Sequence, residues 1–98
     1  MIWYKVILTN NELFNGLGRE LEADFNYLFT QMNHPEDMRL YCSWLVGDQH
    51  RYYYLQLPDN FGFHLGEVFS KYRTILTTEP QIENLHLLVG YNKMSEVS

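Results

Sequence analysis

Apolar and polar positions follow two different periods along the chain, and each period predicts a set of elements. From Ile2 to Thr9 the residues are β-branched or aromatic with Lys5 as the interruption, a pattern typical of a strand inside a sheet. Thr9-Asn10-Asn11-Glu12 then fits a capping box, which marks the start of a helix. Apolar residues recur after it at intervals of three and four, which predicts one amphipathic helix ending before Pro35: Phe14, Leu17, Leu21, Phe25, Leu28 and Met32.

The second half of the chain predicts two strands, a second helix and a last strand. Two strand-like runs, residues 40–46 and 51–57, flank Gly47-Asp48-Gln49-His50 and predict a hairpin. A helical spacing follows and predicts a second amphipathic helix, which carries Phe61, Leu65, Val68, Phe69, Tyr72, Ile75 and Leu76. Residues 85–91 predict a last strand.

The predicted order β-α-β-β-α-β favours a ferredoxin-like α+β fold. In that fold both helices cover one face of a four-stranded antiparallel sheet, and right-handed crossovers give the strand order 4-1-3-2. We expect a single domain over residues 1–92 and a flexible polar tail over residues 93–98. The fold hosts many unrelated functions, so function has to be argued from the surface.

Strand alternation leaves a second face, turned away from the helices, that is unusually aromatic. Its predicted residues form a contiguous apolar patch of a kind that monomeric proteins seldom expose. Tyr and Trp are also enriched at protein interfaces. The predicted partner-binding residues are Trp3, Ile7, Tyr41, Leu45, Tyr52, Tyr54, His86 and Leu88.

The hairpin register decides which tyrosines lie on this second face. A two-residue turn at Gly47-Asp48 or Asp48-Gln49 places Tyr52 and Tyr54 there. A three-residue loop would exchange them for Tyr53 and Leu55. In both registers the second face stays aromatic or apolar.

Charge and composition narrow the function classes. Twelve acidic residues against seven scattered basic ones give a net charge of −5, so the chain lacks the basic patch that nucleic-acid binding needs. The apolar runs are shorter than the roughly 20 residues of a membrane helix, which argues against a membrane partner. A single cysteine, Cys42, excludes an internal disulfide and fits a reducing cytoplasm.

Chemistry-bearing residues are sparse. Cys42 lies in an apolar run and is expected to behave as a core residue without an activating base. His34 lies beside Glu36 and Asp37, but a loop histidine near surface acids is more often solvated than metal-bound, and His50 and His64 lack partners at ligand spacing, so no metal or cofactor is predicted. His86 is the catalytic candidate, because a histidine on an apolar edge strand beside Trp3 or Lys5 has a pKa that its surroundings can tune.

These features favour a non-enzymatic interaction or regulatory domain that associates through its second face, as a homodimer or with another protein. The alternative is a small dimeric enzyme of the α+β-barrel type, or a small-molecule-binding protein, with an aromatic pocket at the sheet face that includes His86. Stacking of nucleic-acid bases on the tyrosines is a third, weaker hypothesis.

Overall fold

A computed structural model describes residues 2–43, 50–59 and 69–91 as an α+β domain built on an open antiparallel sheet. The strands have the order β4-β1-β3-β2-β5, and every neighbouring pair is antiparallel. A short 3₁₀ helix, Ile82–Asn84, precedes the last strand. The elements are β1 (Ile2–Thr9), α1 (Asn10–Phe14), α2 (Leu17–Gln31), β2 (Arg39–Ser43), β3 (His50–Leu57), β4 (Thr74–Thr77) and β5 (Leu85–Val89).

The start of the first helix is confirmed in detail. The Thr9 N–H donates to Glu12 Oε1 over 2.9 Å, and the Glu12 N–H donates to Thr9 Oγ1 over 3.2 Å, which completes the capping box. The predicted single helix is divided into α1 and α2, because Gly16 has a φ of 86° that no helix accommodates. The apolar stripe continues across the break, and Leu21 and Phe25 are fully buried.

The hairpin strands are confirmed over the residues that the structure describes. Tyr41 lies opposite Tyr54 and Cys42 opposite Tyr53, the register that a two-residue turn at Gly47-Asp48 implies. Tyr52 and Tyr54 therefore share a face, and Tyr53 points to the other. Residues 44–49, which include the predicted strand end and turn, lie outside the described residues.

The predicted end of the second helix is wrong. Ile75 and Leu76 belong to β4, which pairs with β1 so that Lys5 lies opposite Ile75. Three of the four residues in Thr74–Thr77 are β-branched, and as a strand they hydrogen-bond to an edge of β1 that a helix would leave unpaired. The earlier part of that predicted helix, residues 60–68, lies outside the described residues.

The predicted place of the last strand is also wrong. Leu85–Val89 pairs with β2 at the far edge of the sheet instead of with β1. Because β4 fills the position beside β1, the strand formed by residues 85–89 becomes a fifth strand beyond β2.

The two faces of the sheet differ in what packs on them. The helix α2 packs on one face, here called the α2 face, where it buries Leu21 and Phe25 against Val6 and Leu55. Phe69 and Tyr72, from the connection between β3 and β4, close the same core. The opposite face is the second face.

The connection between β4 and β5, residues 78–84, is here called the crossing segment. The strands that it joins, β4 and β5, lie at opposite edges of the sheet and, from the antiparallel pairings, run parallel to each other. Both run opposite to β1 and β2. The step from β4 to β5 nevertheless crosses the sheet in the same lateral direction as the step from β1 to β2. A right-handed crossover therefore takes the crossing segment over the second face.

Candidate functional site on the second face

The strand register arranges the second face in rows of side chains. One row contains Thr77, Trp3, Gln56 and Arg39. The next contains Ile75, Lys5, Tyr54, Tyr41 and Leu87. Ile7 and Tyr52 lie opposite each other in the row beyond. The structure thus brings together Trp3, Ile7, Tyr41, Tyr52 and Tyr54, five of the predicted partner-binding residues.

The first row is covered. Trp3 is 6% exposed, and Gln56 and Arg39 are buried as well, although all three point away from α2. The right-handed path inferred for the crossing segment passes over this row, and Pro80 and Ile82 of that segment are half-buried. The Arg39 Nε donates to the Tyr91 carbonyl oxygen over 2.6 Å, which links β2 to the residues that follow β5.

Tyr41 is covered together with Trp3. The two rings stack with centroids 5.9 Å apart, and Tyr41 is also 6% exposed. Burial raises the pKa of Tyr41, with Arg39 opposing the shift and Glu79 of the crossing segment adding to it. Two predicted partner anchors are therefore buried by their own chain.

The part of the second face that is less buried lies towards β4 and the carboxyl end of β1. Ile7, Tyr52 and Tyr54 are half-buried there, and Ile75 is exposed. The Lys5 Nζ lies 5.6 Å from the centre of the Tyr52 ring, a cation–π contact. Partial burial raises the pKa of Tyr54, and Tyr52 adds to the shift. We name Ile7, Tyr52, Tyr54 and Ile75 the open patch.

Two predicted site residues are on the other face. His86 lies opposite Cys42, and Leu88 packs against the core beside α2. The prediction failed because β5 pairs with β2 rather than β1, in a register interrupted by an irregularity between Leu40 and Tyr41. His86 therefore does not share a face with Trp3. Leu45 lies outside the described residues.

Cys42 is where the sequence predicts it, in the core. Burial raises the pKa of its thiol, so the reactive thiolate is disfavoured. Within residues 2–43, 50–59 and 69–91, no three His, Cys, Asp or Glu side chains come close enough to hold a metal ion. In the same ranges no helix is long and apolar enough to cross a membrane.

The edge strand β4 is the feature of this candidate site that the sequence prediction missed. It carries no charged residue, and it leaves Ile75 42% and Leu76 68% exposed. Natural edge strands are commonly protected by charges, prolines or bulges. The signal in the sequence was the uncharged Thr-Ile-Leu-Thr run. This run also continues the helical periodicity of the residues before it, so it did not identify a strand by itself.

Comparison with protein-family models, curated proteins and solved structures finds no match to this chain.

Proposed function

We propose that the protein is a small non-enzymatic interaction domain that pairs with a second copy of itself along β4 and the adjoining open patch. The observation that carries this proposal is that β4 ends the sheet formed by the described residues, and that Ile75 and Leu76 are exposed on opposite faces of this uncharged strand. The order β4-β1-β3-β2 supports a ferredoxin-like core extended by β5.

A second copy suits this edge for geometric reasons. Two β4 strands related by a two-fold axis perpendicular to the sheet pair antiparallel, and each residue near the axis meets its own counterpart. Ile75 then lies opposite Ile75 of the second copy, or Leu76 opposite Leu76. Either pairing gives hydrogen-bond partners to the outer backbone groups of β4, which no described strand pairs with, and removes an exposed apolar side chain from water.

The open patch extends the same contact. In such a pair the second faces of both copies lie on the same side of a ten-stranded sheet, so the row from Ile75 through Lys5 to Tyr54 continues across the axis. Lys5 is the one charged residue of that row, and its contact with Tyr52 shields it. The contact surface is therefore aromatic and nearly uncharged, as the centres of protein interfaces are.

Sedimentation velocity at about 10–100 μM tests the proposal, a range in which weak homodimers are populated. We expect a dimer for the wild type and a monomer for Ile75→Lys, because the ammonium would be buried without a partner. Tyr54→Lys tests the open patch separately. The matched control is Tyr27→Lys, since Tyr27 is an exposed tyrosine on α2.

A wild-type protein that stays monomeric over this range contradicts the proposal, and so does Ile75→Lys remaining dimeric. Thermal melts of each variant distinguish lost association from lost folding. Since Ile75 is at an exposed edge, its substitution is expected to leave the melting of the monomer nearly unchanged.

A further inference from the structure

A cleft of about 540 Å³ lies on the α2 face, on the side of the sheet opposite the open patch. Its walls are the corner between α1 and α2 and the adjoining strands β2, β3 and β5. This volume is within the range of small-molecule sites. The lining residues used below are Leu13, Phe14, Arg19, Glu22, Arg51 and Tyr53.

The break between α1 and α2 shapes this cleft. Gly18, in the first turn of α2, lies so close to Tyr53 that a Cβ there would be 2.5 Å from the tyrosine hydroxyl. The Tyr53 ring therefore forms the floor, against the helix backbone. At the mouth, Phe14 is 90% exposed, although it lies in the same apolar stripe as the buried residues of α2.

The lining of the cleft carries one net positive charge. Arg19 from α2 and Arg51 from β3 both line it, and Glu22 is the acidic residue of the lining, which leaves one net positive charge in a chain of net charge −5. Among the described residues, neither arginine has an acidic side chain within ion-pair distance. Arg51 lies near the Tyr53 hydroxyl, where its charge opposes the rise in pKa that burial causes.

We propose that this cleft binds a small aromatic carboxylate. Guanidinium groups hold a carboxylate through paired N–H donors, and here Arg19 and Arg51 reach the cleft from two different elements. The single net charge favours one carboxylate over a dianion, because Glu22 opposes further negative charge. Phe14 and Leu13 supply the apolar surface on which a ring packs, and binding removes Phe14 from water.

Titration of the ¹⁵N-labelled protein with phenylacetate, benzoate and 1-naphthoate tests this proposal by NMR. We expect saturable shifts of the Gly18 and Tyr53 amides, with Kd values of about 0.1–1 mM for at least one of the three acids. The neutral phenylacetamide and the small anion acetate, at equal concentration, are expected to give no saturable shift at these amides.

Variants assign the binding to the cleft. Arg19→Gln and Arg51→Gln should each weaken the tightest acid about tenfold, by loss of a charge-assisted hydrogen bond. Phe14→Ala should weaken it about threefold, because part of the apolar contact is lost. Arg73→Gln and Tyr27→Ala, exposed residues of the same types outside the cleft, serve as controls and should leave the Kd unchanged.

The proposal is overturned if none of the three acids saturates by about 20 mM, well above the expected Kd. Phenylacetamide or acetate binding as tightly as the acids overturns it as well, since either result removes one half of the recognition. Equal losses in the Arg73→Gln control would show that the arginines act through overall charge and not through the cleft.

Discussion

At the scale of single residues, one hydrogen-bonded cluster ties the β3–β4 connection to α2. The Tyr72 hydroxyl donates to Asp24 Oδ2 over 2.8 Å, and Lys71 Nζ lies 3.3 Å from the same carboxylate oxygen. Tyr72 is buried against Phe69, and burial together with Asp24 raises its pKa far above the ordinary value. The hydroxyl therefore stays protonated and acts as a donor.

Tyr72→Phe should lower the free energy of unfolding by about 1–2 kcal/mol at neutral pH, because a hydrogen bond to a charged acceptor is lost while the ring contact stays. The folded pKa is raised, so this contribution is present below about pH 10 and is lost as pH rises further and the unfolded tyrosine deprotonates. Urea unfolding on both sides of pH 10 measures the narrowing gap between the variant and the wild type.

The matched control is Tyr27→Phe, which removes a hydroxyl from an exposed tyrosine on the same helix. It should change the free energy of unfolding by less than about 0.5 kcal/mol. Equal effects of the two substitutions would contradict the role assigned to the contact between Tyr72 and Asp24.

Residue roles were predictable where they depend on near neighbours in the chain. Thr9 and Glu12 are three residues apart, so the capping box could be predicted directly from the sequence. His86 was assigned to the wrong face because its orientation depends on which strand it pairs with, and that partner, β2, lies more than 40 residues earlier. Alternation within one strand fixes which residues share a face, but not which face is covered.

At the scale of elements, the corner between α1 and α2 depends on two glycines for different reasons. Gly16 supplies the left-handed backbone that ends α1, while Gly18 supplies the room that Tyr53 fills. A glycine inside a helix costs about 1 kcal/mol relative to alanine, so Gly18 is retained at a cost in helix stability. That cost is offset by the packing of the Tyr53 ring.

Gly18→Ala should destabilise the wild type, because the new methyl meets the Tyr53 hydroxyl and, at 3.2 Å, a Leu13 methyl. In a Tyr53→Phe background the same substitution should instead be neutral or stabilise by up to about 1 kcal/mol, since the hydroxyl is gone and helix propensity dominates. A double-mutant cycle by chemical denaturation measures this change of sign. Equal effects in the two backgrounds would rule out the contact as the reason for the glycine.

Element type was harder to predict for residues 74–77. Phe69, Tyr72 and Leu76 have helical spacing, so periodicity alone extends the second helix through Ile75 and Leu76. Residues 74–77 form a strand because they pair with backbone groups on one side of β1. That need for pairing becomes apparent only once the sheet is assembled. Short apolar runs are ambiguous in this way, whereas β1 and β3, eight residues each, were predicted from their pattern.

At the scale of the whole molecule, the two faces of the sheet are covered unequally. The α2 face receives a helix of 15 residues, while the second face receives the crossing segment, which covers the row of Trp3 and leaves the open patch. The aromatic residues of the second face, from which a partner was predicted, therefore fall into two groups: Trp3 and Tyr41 are buried within the chain, and Tyr52 and Tyr54 remain partly exposed. The sequence indicated that this face is aromatic, but only the topology shows which of its residues are buried.

Trp3→Ala should lower the free energy of unfolding by about 3–5 kcal/mol, the usual cost of emptying a buried aromatic site. The measurement is chemical denaturation at a protein concentration where the wild type is monomeric. Tyr52→Ala, at a half-buried position of the open patch, should cost less than about 1.5 kcal/mol. A small loss for Trp3→Ala would mean that the crossing segment does not cover Trp3.

The crossing segment also has a consequence for synthesis of the chain. Strands β1, β2 and β3 can associate once residue 57 has left the ribosome, but the segment that covers Trp3 and Tyr41 is made more than 20 residues later. Synthesis proceeds at about 5–20 residues per second, so the stacked pair waits in water for about a second or more. During that interval the nascent chain exposes an aromatic surface that is prone to non-specific association. A chaperone that binds incomplete sheets would bind at this surface.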